Sequence, residues 1–347
     1  MRVAYILPPS VIVSGVSNGV RVQAESWKSG IEALGVDVVT IDVWGNYDWK
    51  SFDIIHIFGY GIWLDEFLPS IFERTTAKII CSPIIDAVRS CWLSRIATYC
   101  EFPFFRMYSS WGRLKKSDKY IHTYLVRSEF EKQYLLQTLK ITQERIVLQP
   151  LSYRIMPTAN IHSKEDFCLH VSLLSNDRKN VKRLVESAIK YKYKLVLAGN
   201  YGSPAFLKEL QKLIGNNSNV EILGFVSEEK LKELYERAKA FALPSIYGEG
   251  VGLVALEAAV YGCDIVITNI GGPKEYYSNL AYIINPYSID EIGQSVIDIL
   301  NGKTFQPQLR EHIMKNYNVD VLNHRLLEIY KRIMKICLLY TSDAADD

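Results

Sequence analysis

The stretch GEGVGLVALEA at residues 248–258 holds two carboxylates, Glu249 and Glu257, which lie eight positions apart. It follows the apolar run AKAFALP at 238–244 and opens a second apolar segment, which is the pattern of a strand, a turn and a helix. Its glycines let the backbone approach a ligand closely and turn N–H groups outward. Because a helix N-terminus carries partial positive charge, the turn is predicted to bind an anionic or oxygen-rich ligand.

Glu257 lies on the helix stripe that should pack inward, beside Leu253, Leu256 and Val260. An ionised carboxylate in that position needs hydrogen-bond donors, and the two hydroxyls of a ribose would supply them. Each acid alone also has a simpler explanation. Glu249 would be favoured by the helix dipole, and Glu257 would be a salt-bridged edge residue. One ligand that spans both acids explains their joint placement better.

Short apolar strands alternate with helices along both halves of the chain. This order predicts two parallel sheets, and therefore two doubly wound, Rossmann-like α/β domains facing a central cleft at the carboxyl ends of their strands. The predicted strands are 2–7, 36–43, 53–58, 77–82, 167–174, 193–199, 219–226, 238–244, 263–268 and 280–284. Helices are predicted over 20–34, before Gly35, and over 181–190 and 228–238.

The stretch at 149–166 is predicted to link the domains, because it has prolines, polar residues and weak periodicity. We therefore place an N-terminal domain at 1–155 and a C-terminal domain at 156–317. The helix at about 318–336 is expected to pack back on the first domain. The final residues, CLLYTSDAADD at 337–347, continue nothing in that helix and resemble the translated end of a sequencing adapter, so they are left out of the fold prediction.

The composition is that of a soluble globular protein. Of the 347 residues, 48% are hydrophobic and 22% are charged, and the formal net charge is +2. The near-neutral charge points to no nucleic-acid partner, and no uncharged apolar run approaches the ~20 residues that span a bilayer. The six cysteines form no CxxC pair, which favours free thiols in a reducing cytosol and a cytoplasmic protein.

The segment PSIYGEGVGLVALEAAVYGCDIVITNIGGPKEYY at 244–277 resembles the hallmark segment of glycosyltransferase family 4. The residues that carry the resemblance are Glu249, Glu257, Gly271, Gly272 and Glu275. More loosely it extends over 1–336, where the loop with Gly15 and Gly19 and the segment at 124–135 are similar to parts of the family's first domain. The resemblance implies the GT-B fold and a retaining, hexosyltransferase-type enzyme that uses a UDP- or GDP-sugar and no cofactor. It also implies that the domain at 1–155 is on the acceptor side and that the domain at 156–317 binds the nucleotide sugar.

The resemblance also implies roles for these residues. Glu249 would contact the donor sugar, and Glu257 would hold the ribose of the nucleotide. Backbone amides of the glycine turn would meet the sugar and the phosphates. The donor-binding residues implied in this way are Glu257, Gly250, Val251, Gly252, Leu253, Gly15 and Val226.

Two cations, Arg178 and Lys179, stand just before the predicted helix at 181–190. A diphosphate leaving group gains negative charge as its bond to the sugar breaks, so fixed cations there would stabilise the transition state. A solvated basic turn is the alternative. The family usually has Gly-Arg-Leu at the end of the preceding strand, whereas this chain has Ser-Leu-Leu at 172–174, and Arg178 is expected to replace the missing arginine. With Glu249, these cations are the predicted catalytic residues.

Asp86 and His56 are the candidates for contact with the acceptor. Many relatives carry a histidine after the strand that here reads IICSPIID at 79–86, where this chain has Ser82, Pro83 and Asp86 instead. His56 lies at the end of the preceding strand, and a histidine satisfied within the core is the alternative. The sequence has no Asp-x-Asp and no metal-ligand triad, so metal-independent transfer is expected.

The stretch at 90–116 interleaves aromatic and basic residues, within a region (87–154) that holds 12 Lys and Arg against 5 Asp and Glu. Its members are Trp92, Tyr99, Phe102, Phe104, Phe105, Tyr108 and Trp111, with Arg95, Arg106, Arg113, Lys115 and Lys116. Such a pattern is typical of a protein that rests on an anionic membrane surface. The alternative is that the aromatics are core residues of two helices. We expect 90–116 to form the acceptor side and to hold the protein at the inner membrane face.

The sequence therefore predicts an enzyme that moves a sugar from a UDP- or GDP-sugar to an acceptor hydroxyl of a lipid-linked or cell-surface glycan, in polysaccharide biosynthesis. Retention implies a front-face mechanism in which the leaving phosphate takes the acceptor proton. One alternative keeps the fold but changes the reaction, a nucleotide-sugar epimerase. A second belongs to another functional class, a catalytically silent sugar-nucleotide-binding protein. A Rossmann oxidoreductase is disfavoured, because no GxGxxG follows the first strand.

Overall fold

The computed structural model describes residues 1–14, 19–42, 44–86, 90–100 and 108–342. Within these ranges the chain forms two compact units. The first unit holds residues 1–85, 90–151 and 319–342, and the second holds Asp86 and residues 152–318. The first unit is therefore discontinuous in sequence, and the second is inserted into it.

The first unit contains a six-stranded sheet in the order β2-β1-β3-β4-β5-β6, in which all neighbouring strands run parallel. The strands are β1 (Arg2–Ile6), β2 (Asp37–Thr40), β3 (Ile54–Phe58), β4 (Lys78–Ser82), β5 (Thr123–Val126) and β6 (Ile146–Leu148). The helices are α1 (Pro9–Ser14), α2 (Gly19–Glu32), α3 (Trp63–Phe72), α4 (Cys91–Tyr99), α5 (Ser110–Ser117), α6 (Glu129–Tyr134) and, from the far end of the chain, α13 (Val319–Ser342).

The second unit contains a second six-stranded parallel sheet, in the order β12-β11-β10-β7-β8-β9. The strands are β7 (Glu165–Val171), β8 (Lys194–Ala198), β9 (Val220–Gly224), β10 (Ala238–Leu243), β11 (Asp264–Thr268) and β12 (Tyr282–Ile284). The helices are α7 (Val181–Tyr191), α8 (Pro204–Ile214), α9 (Glu228–Arg237), α10 (Leu253–Val260), α11 (Ile289–Leu300) and α12 (Gln308–Asn316).

The central strands are buried on both faces. Every residue of β3 and of β11 is buried, because helices cover both sides of each sheet. Strands in such sheets read as continuous apolar runs, which is why the sequence shows them. The prediction of two doubly wound α/β domains is therefore confirmed for the described residues, and Gly35, predicted to follow the first long helix, has a φ of +84°.

The structure departs from the prediction in three elements. The sequence does not predict strands β5 and β6, which have only four and three residues; their length alone does not explain this, because β2 and β12 are equally short and are predicted. Helix α13 continues to Ser342, whereas the sequence predicts that it ends at about residue 336. No glycine or proline interrupts residues 319–342, so no local signal stops the helix there.

The predicted membrane stretch at 90–116 is only partly as expected. Trp92 and Tyr99 on α4 are 67% and 56% exposed, but Arg113, predicted to face lipid headgroups, is buried. Its guanidinium forms an ion pair with Asp65 and lies 3.8 Å from the ring centroid of Tyr108, because α5 packs against α3. Phe102, Phe104, Phe105 and Arg106 lie outside the described residues.

No helix within the described ranges is long and apolar enough to cross a membrane.

His56, an expected acceptor-side residue, is instead a core residue of the first unit. It is fully buried in β3, with Nδ1 hydrogen-bonded to the Tyr330 hydroxyl of α13 at 2.6 Å and Nε2 to the Ser82 hydroxyl of β4 at 2.8 Å. Burial lowers the pKa of the ring to about 3, so it is neutral. Because α13 covers this face of the sheet, the prediction that His56 contacts an acceptor is wrong.

Removing one hydroxyl tests this core network. The Tyr330 hydroxyl hydrogen-bonds to His56 and lies 3.1 Å from the Tyr5 hydroxyl, so Tyr330→Phe leaves buried polar groups unpaired. We expect the free energy of unfolding of the first unit to fall by about 1–3 kcal/mol. All six tryptophans lie in this unit, so urea unfolding followed by tryptophan fluorescence measures it selectively. Tyr99→Phe, at an exposed tyrosine, is the control, and equal stability of both variants would contradict the assignment.

Candidate active site

The candidate site lies where the strand order of the second sheet reverses. Strand β7 pairs with β8 on one side and with β10 on the other, so the chain winds in opposite directions from it. In open α/β sheets, ligands bind outside the carboxyl ends of the strands at such a point. The loop after β7 carries Arg178 and Lys179, and the loop after β10 carries Ser245 and Glu249.

Glu249 is buried, and its carboxylate is held from two sides. Lys179 Nζ donates to Oε2 at 2.5 Å, and Ser245 Oγ donates to the same oxygen at 3.0 Å. Burial by itself would raise the pKa of the carboxyl, but the charges of Lys179 and Arg178 and these hydrogen bonds outweigh it and hold the pKa below its ordinary value. The carboxylate is therefore ionised although only 8% of the residue is exposed.

Arg178 ties the two loops together. Its Nη1 donates to the Gly248 carbonyl at 2.6 Å, and its own carbonyl accepts from the backbone N–H of Ile246 at 2.9 Å. Nε of the same guanidinium is buried and makes no hydrogen bond within the described ranges. The guanidinium therefore has a donor left for a ligand.

Asp86, the other acceptor-side candidate, lies beside Arg178. The structure groups it with the second unit, and its Oδ2 is 3.5 Å from Arg178 Nη1. Its side chain is 40% exposed. A role in contacting the acceptor stays a prediction.

Two residues that sequence reasoning missed position this cluster. Asn180 has a left-handed backbone (φ +58°), and its Nδ2 donates to the carbonyls of Pro244 and Pro286 at 3.1 and 2.7 Å. Arg183 Nη1 donates in turn to Asn180 Oδ1 at 2.7 Å. An asparagine between a basic pair and a helix is a signal for a left-handed residue, but its distant partners cannot be read from the sequence.

His170, which sequence reasoning also missed, supports the loop that follows β7. Its Nδ1 lies 2.8 Å from the Ala242 carbonyl, which can only accept, so Nδ1 carries the proton. Nε2 therefore accepts from the Ser172 hydroxyl at 2.7 Å. Burial lowers the pKa of His170 to about 4, so the ring remains neutral beside the Lys179–Glu249 pair.

The glycines of the turn have the conformations that the sequence suggested. Gly248 and Gly252 have positive φ angles of +53° and +74°, and Gly252 directly precedes α10. Helix α10 has no side-chain cap, so its first N–H groups are available at its N-terminus. Gly250 and Val251 are buried, and Leu253 is half-buried.

Glu257 lies about one turn into α10 and is 3% exposed. Burial raises the pKa of its carboxyl, although Arg154 counteracts this by placing Nε and Nη2 at 2.9 and 2.8 Å from Oε1. The salt bridge of the simpler explanation is therefore present, and the role of Glu257 in holding a ribose stays a prediction. Burial, followed by the charge of the nearby Glu257, raises the pKa of the Tyr235 hydroxyl well above its ordinary value, and this hydroxyl completes no hydrogen bond within the described chain.

Glu257 lines a cavity of about 480 Å³, which is within the range of small-molecule sites. Its other lining residues are Arg154, Ile155, Met156, Glu228, Glu229, Leu231, Lys232, Tyr235 and Tyr261. Val226, predicted to bind the donor, is half-buried just before α9, and Gly15 lies outside the described residues. The described part of the chain holds no group of three or more His, Cys, Asp or Glu placed to bind a metal ion.

Replacing Gly271 tests whether the turn holds Glu249 in place. A Cβ at Gly271 (φ +84°) would lie 2.7 Å from the Glu249 carbonyl oxygen, whereas one at Gly302 (φ +94°) would meet open space. Both alanine variants carry left-handed backbone strain of about 1–2 kcal/mol, and only Gly271→Ala adds the clash. We expect Gly271→Ala to melt at the lower temperature by circular dichroism. Equal melting temperatures would contradict a tightly packed turn.

The second unit matches a known family. The family model described as Glycosyl transferases group 1 matches residues 154–318. An uncharacterized glycosyltransferase of Methanocaldococcus jannaschii is 27% identical over 186 residues, which are 51% of this chain and 47% of that protein. The O-antigen chain mannosyltransferase B of Escherichia coli is 26% identical over 149 residues, which are 41% of this chain and 39% of that protein. The matches thus span less than half the length of these relatives.

Solved structures share the fold of the whole chain. A glycosyltransferase from Rickettsia africae has a TM-score of 0.72 at 18% identity, covering 96% of this chain and 98% of that one. The Anabaena protein HepE, crystallised in complex with UDP and glucose, has a TM-score of 0.68 at 15% identity, covering 96% and 100%. At sequence identities this low, the matches to solved structures support only the fold. The two parallel sheets therefore have the GT-B fold of glycosyltransferases, with residues 154–318 matching glycosyl transferases group 1.

Proposed function

We propose that this protein is a retaining glycosyltransferase, which moves a sugar from a UDP- or GDP-sugar to an acceptor hydroxyl. The observation that carries the proposal is the convergence of Glu249, Lys179 and Arg178 at the reversal point of the second sheet. The match over 154–318, the named mannosyltransferase relative and the UDP and glucose bound by HepE support it. Membership of glycosyltransferase family 4 is part of the same proposal.

Arg178 and Lys179 supply the positive charge for the leaving group. When the bond between the anomeric carbon and the diphosphate oxygen breaks, its electron pair leaves with the diphosphate. In this proposal that charge is received by the Arg178 guanidinium, whose buried Nε–H makes no hydrogen bond within the described chain, and by the Lys179 ammonium, which Glu249 holds. With two protein cations in this role, the proposed transfer needs no metal ion.

Glu249 acts on the sugar. As an ionised carboxylate it accepts hydrogen bonds from sugar hydroxyls and stabilises the positive charge that develops at the anomeric carbon. The acceptor oxygen attacks from the face that the diphosphate leaves, so the configuration is retained. Its proton passes to an oxygen of the departing phosphate, and the step requires no separate protein base.

Glu257 holds the ribose in the neighbouring cavity. Its carboxylate is buried and accepts from Arg154 through Oε1, and we assign Oε2, which accepts no hydrogen bond of this kind from Arg154, to the ribose hydroxyls. The unpaired Tyr235 hydroxyl adds a further polar group in the same cavity. The uncapped N-terminus of α10 lies between the two acids in sequence, where its amides suit the diphosphate.

Replacing Glu249 tests the chemistry separately from donor binding. Glu249→Gln keeps the shape but removes the charge, so we expect acceptor-dependent release of UDP or GDP to fall by about 100-fold or more. Nucleotide affinity, measured by calorimetry, should stay within a few-fold. Glu209→Gln is the matched control, because Glu209 pairs with Lys182 on the surface.

Other outcomes distinguish the alternatives. Near-normal turnover of Glu249→Gln would contradict its assignment. Glu257→Gln should instead weaken nucleotide binding by about 1.5–3 kcal/mol, as expected for a hydrogen bond to a charged group. If the unmodified protein interconverts nucleotide sugars without an acceptor, it is an epimerase. If it binds nucleotide sugars but releases no free nucleotide with any acceptor, it is a silent binding protein.

The acceptor is proposed to be a lipid-linked or cell-surface glycan reached at a membrane. Helix α4 turns apolar side chains outward: Trp92, Leu93, Ile96 and Tyr99 are 67%, 46%, 42% and 56% exposed. Its buried residues are the polar Ser94 and Thr98. This polarity is the reverse of an ordinary surface helix, and Arg95 and Lys116 are exposed nearby in sequence. An apolar helix face flanked by cations suits an anionic membrane surface.

Liposome co-sedimentation tests this docking face. We expect the protein to bind vesicles containing anionic lipid, with less binding as the salt concentration rises, because each well-placed cation contributes about 1 kcal/mol. Trp92→Ala with Ile96→Ala, and Arg95→Glu with Lys116→Glu, should each reduce binding. Lys208→Glu, on the surface of the second unit, is the control. A protein that ignores anionic vesicles at low salt contradicts the proposal.

A further inference from the structure

The first unit has a cavity of about 350 Å³ at the carboxyl ends of its central strands. Strand β1 pairs with β2 on one side and β3 on the other, so this sheet also reverses its winding at β1. The cavity is lined by three segments, which follow β1, β2 and β3 respectively. Its position is therefore the place where an open α/β sheet binds a ligand.

One wall of the cavity is aromatic. Trp63 and Phe67 of α3 stack with ring centroids 5.2 Å apart, and Tyr47 and Trp49 lie 6.0 Å apart on the segment after β2. All four side chains are half-buried, so each offers part of a ring face. The negative face of an aromatic ring attracts the slightly positive C–H groups of a pyranose. Such a wall suits a sugar better than an extended peptide or a metal ion.

The charged groups of the cavity are acidic. Asp42 and Glu66 line it, and no Lys, Arg or His does so among the described residues. Cations Arg21 and Lys28 line an adjoining hollow that shares Asp42 with the cavity, and there they are ion-paired with Glu25 and Glu32 at 3.0 and 3.8 Å. Carboxylates accept hydrogen bonds from sugar hydroxyls or an ammonium group, and they repel another carboxylate or a phosphate.

The segment that carries Asp42 is held in place. The backbone N–H of Asp42 donates to the Tyr47 hydroxyl at 2.8 Å, and the backbone N–H of Trp44 donates to Asp42 Oδ1 at 3.0 Å. Among the described residues no hydrogen bond is made to Asp42 Oδ2, and the residue is exposed. The carboxylate and the aromatic wall are therefore positioned before a ligand arrives.

We propose that this cavity binds the terminal sugar of the acceptor, and that it selects a neutral or amino pyranose over an anionic one. The inference rests on the proposed glycosyl transfer, because it names the acceptor of that reaction. Trp63 provides the stacking face, and Asp42 and Glu66 provide the hydrogen-bond acceptors and the charge selection.

Direct binding of simple glycosides tests the inference without any turnover. The probes are the methyl glycosides of mannose, glucosamine and glucuronic acid, measured by saturation-transfer difference NMR. We expect the first two to bind in the millimolar range and the glucuronide not to bind. Trp63→Ala should weaken the binding of both by about tenfold or more, which corresponds to 1.4 kcal/mol. Phe72→Ala, an exposed aromatic at the end of the same helix and outside the cavity, should change nothing.

Two further measurements keep the test decisive. The double variant Asp42→Asn with Glu66→Gln keeps the shapes of both side chains but removes their charges, so the glucuronide should bind and the binding of the amino sugar should weaken. If Trp63→Ala fails to fold, Trp63→Phe should fold and retain part of the glycoside binding. Equal binding of the glucuronide to the unmodified protein, or no binding of any glycoside to a protein that does bind UDP or GDP, overturns the inference. A protein that binds neither nucleotide overturns the proposed function instead.

Discussion

The buried ion pair between Lys179 and Glu249 is the interaction on which the arrangement of the candidate site depends. Two charges are held 2.5 Å apart where little water can reach them, and removing one partner of such a pair typically costs about 3–5 kcal/mol. The neighbouring contacts keep the pair together: Ser245 donates to the same oxygen, and Arg178 fixes the carbonyl of Gly248. Several contacts between side chains and backbone therefore join the two loops.

The parallel arrangement of the strands explains why much of this site could be predicted from the sequence. Neighbouring parallel strands end at the same edge, so residues that follow different strands meet there, whatever their separation along the chain. Arg178, Lys179 and Glu249, which the family resemblance and the charge of a diphosphate group together as catalytic residues, lie together at this edge. Glu257 could be placed on an inward helix stripe, but its partner Arg154 could not be named, because the pairing joins residues 103 positions apart in a stretch without periodicity.

Other features depend on whether a side chain lies on the buried or the exposed face of its strand or helix, which the sequence alone does not determine. His56 ends up in the core because α13, which begins at Val319, covers its face of the sheet. Arg113 was counted among the outward cations, yet its helix packs against α3 and turns the guanidinium to Asp65. Composition predicts how many charges a segment carries. Tertiary packing decides which of them reach the solvent, and α4 exposes its apolar face for the same reason.

The discontinuity of the first unit has a consequence for the order of folding during synthesis. Its sheet is translated first, but Tyr330 and the Leu322 carbonyl, which accepts from Gln149 Nε2 at 2.9 Å, emerge from the ribosome only after the entire second unit. The second unit is nearly continuous in sequence and can complete its core as it emerges. The nascent first unit must therefore persist with His56 uncovered until the last helix arrives, a period in which it is exposed to chaperones and proteases.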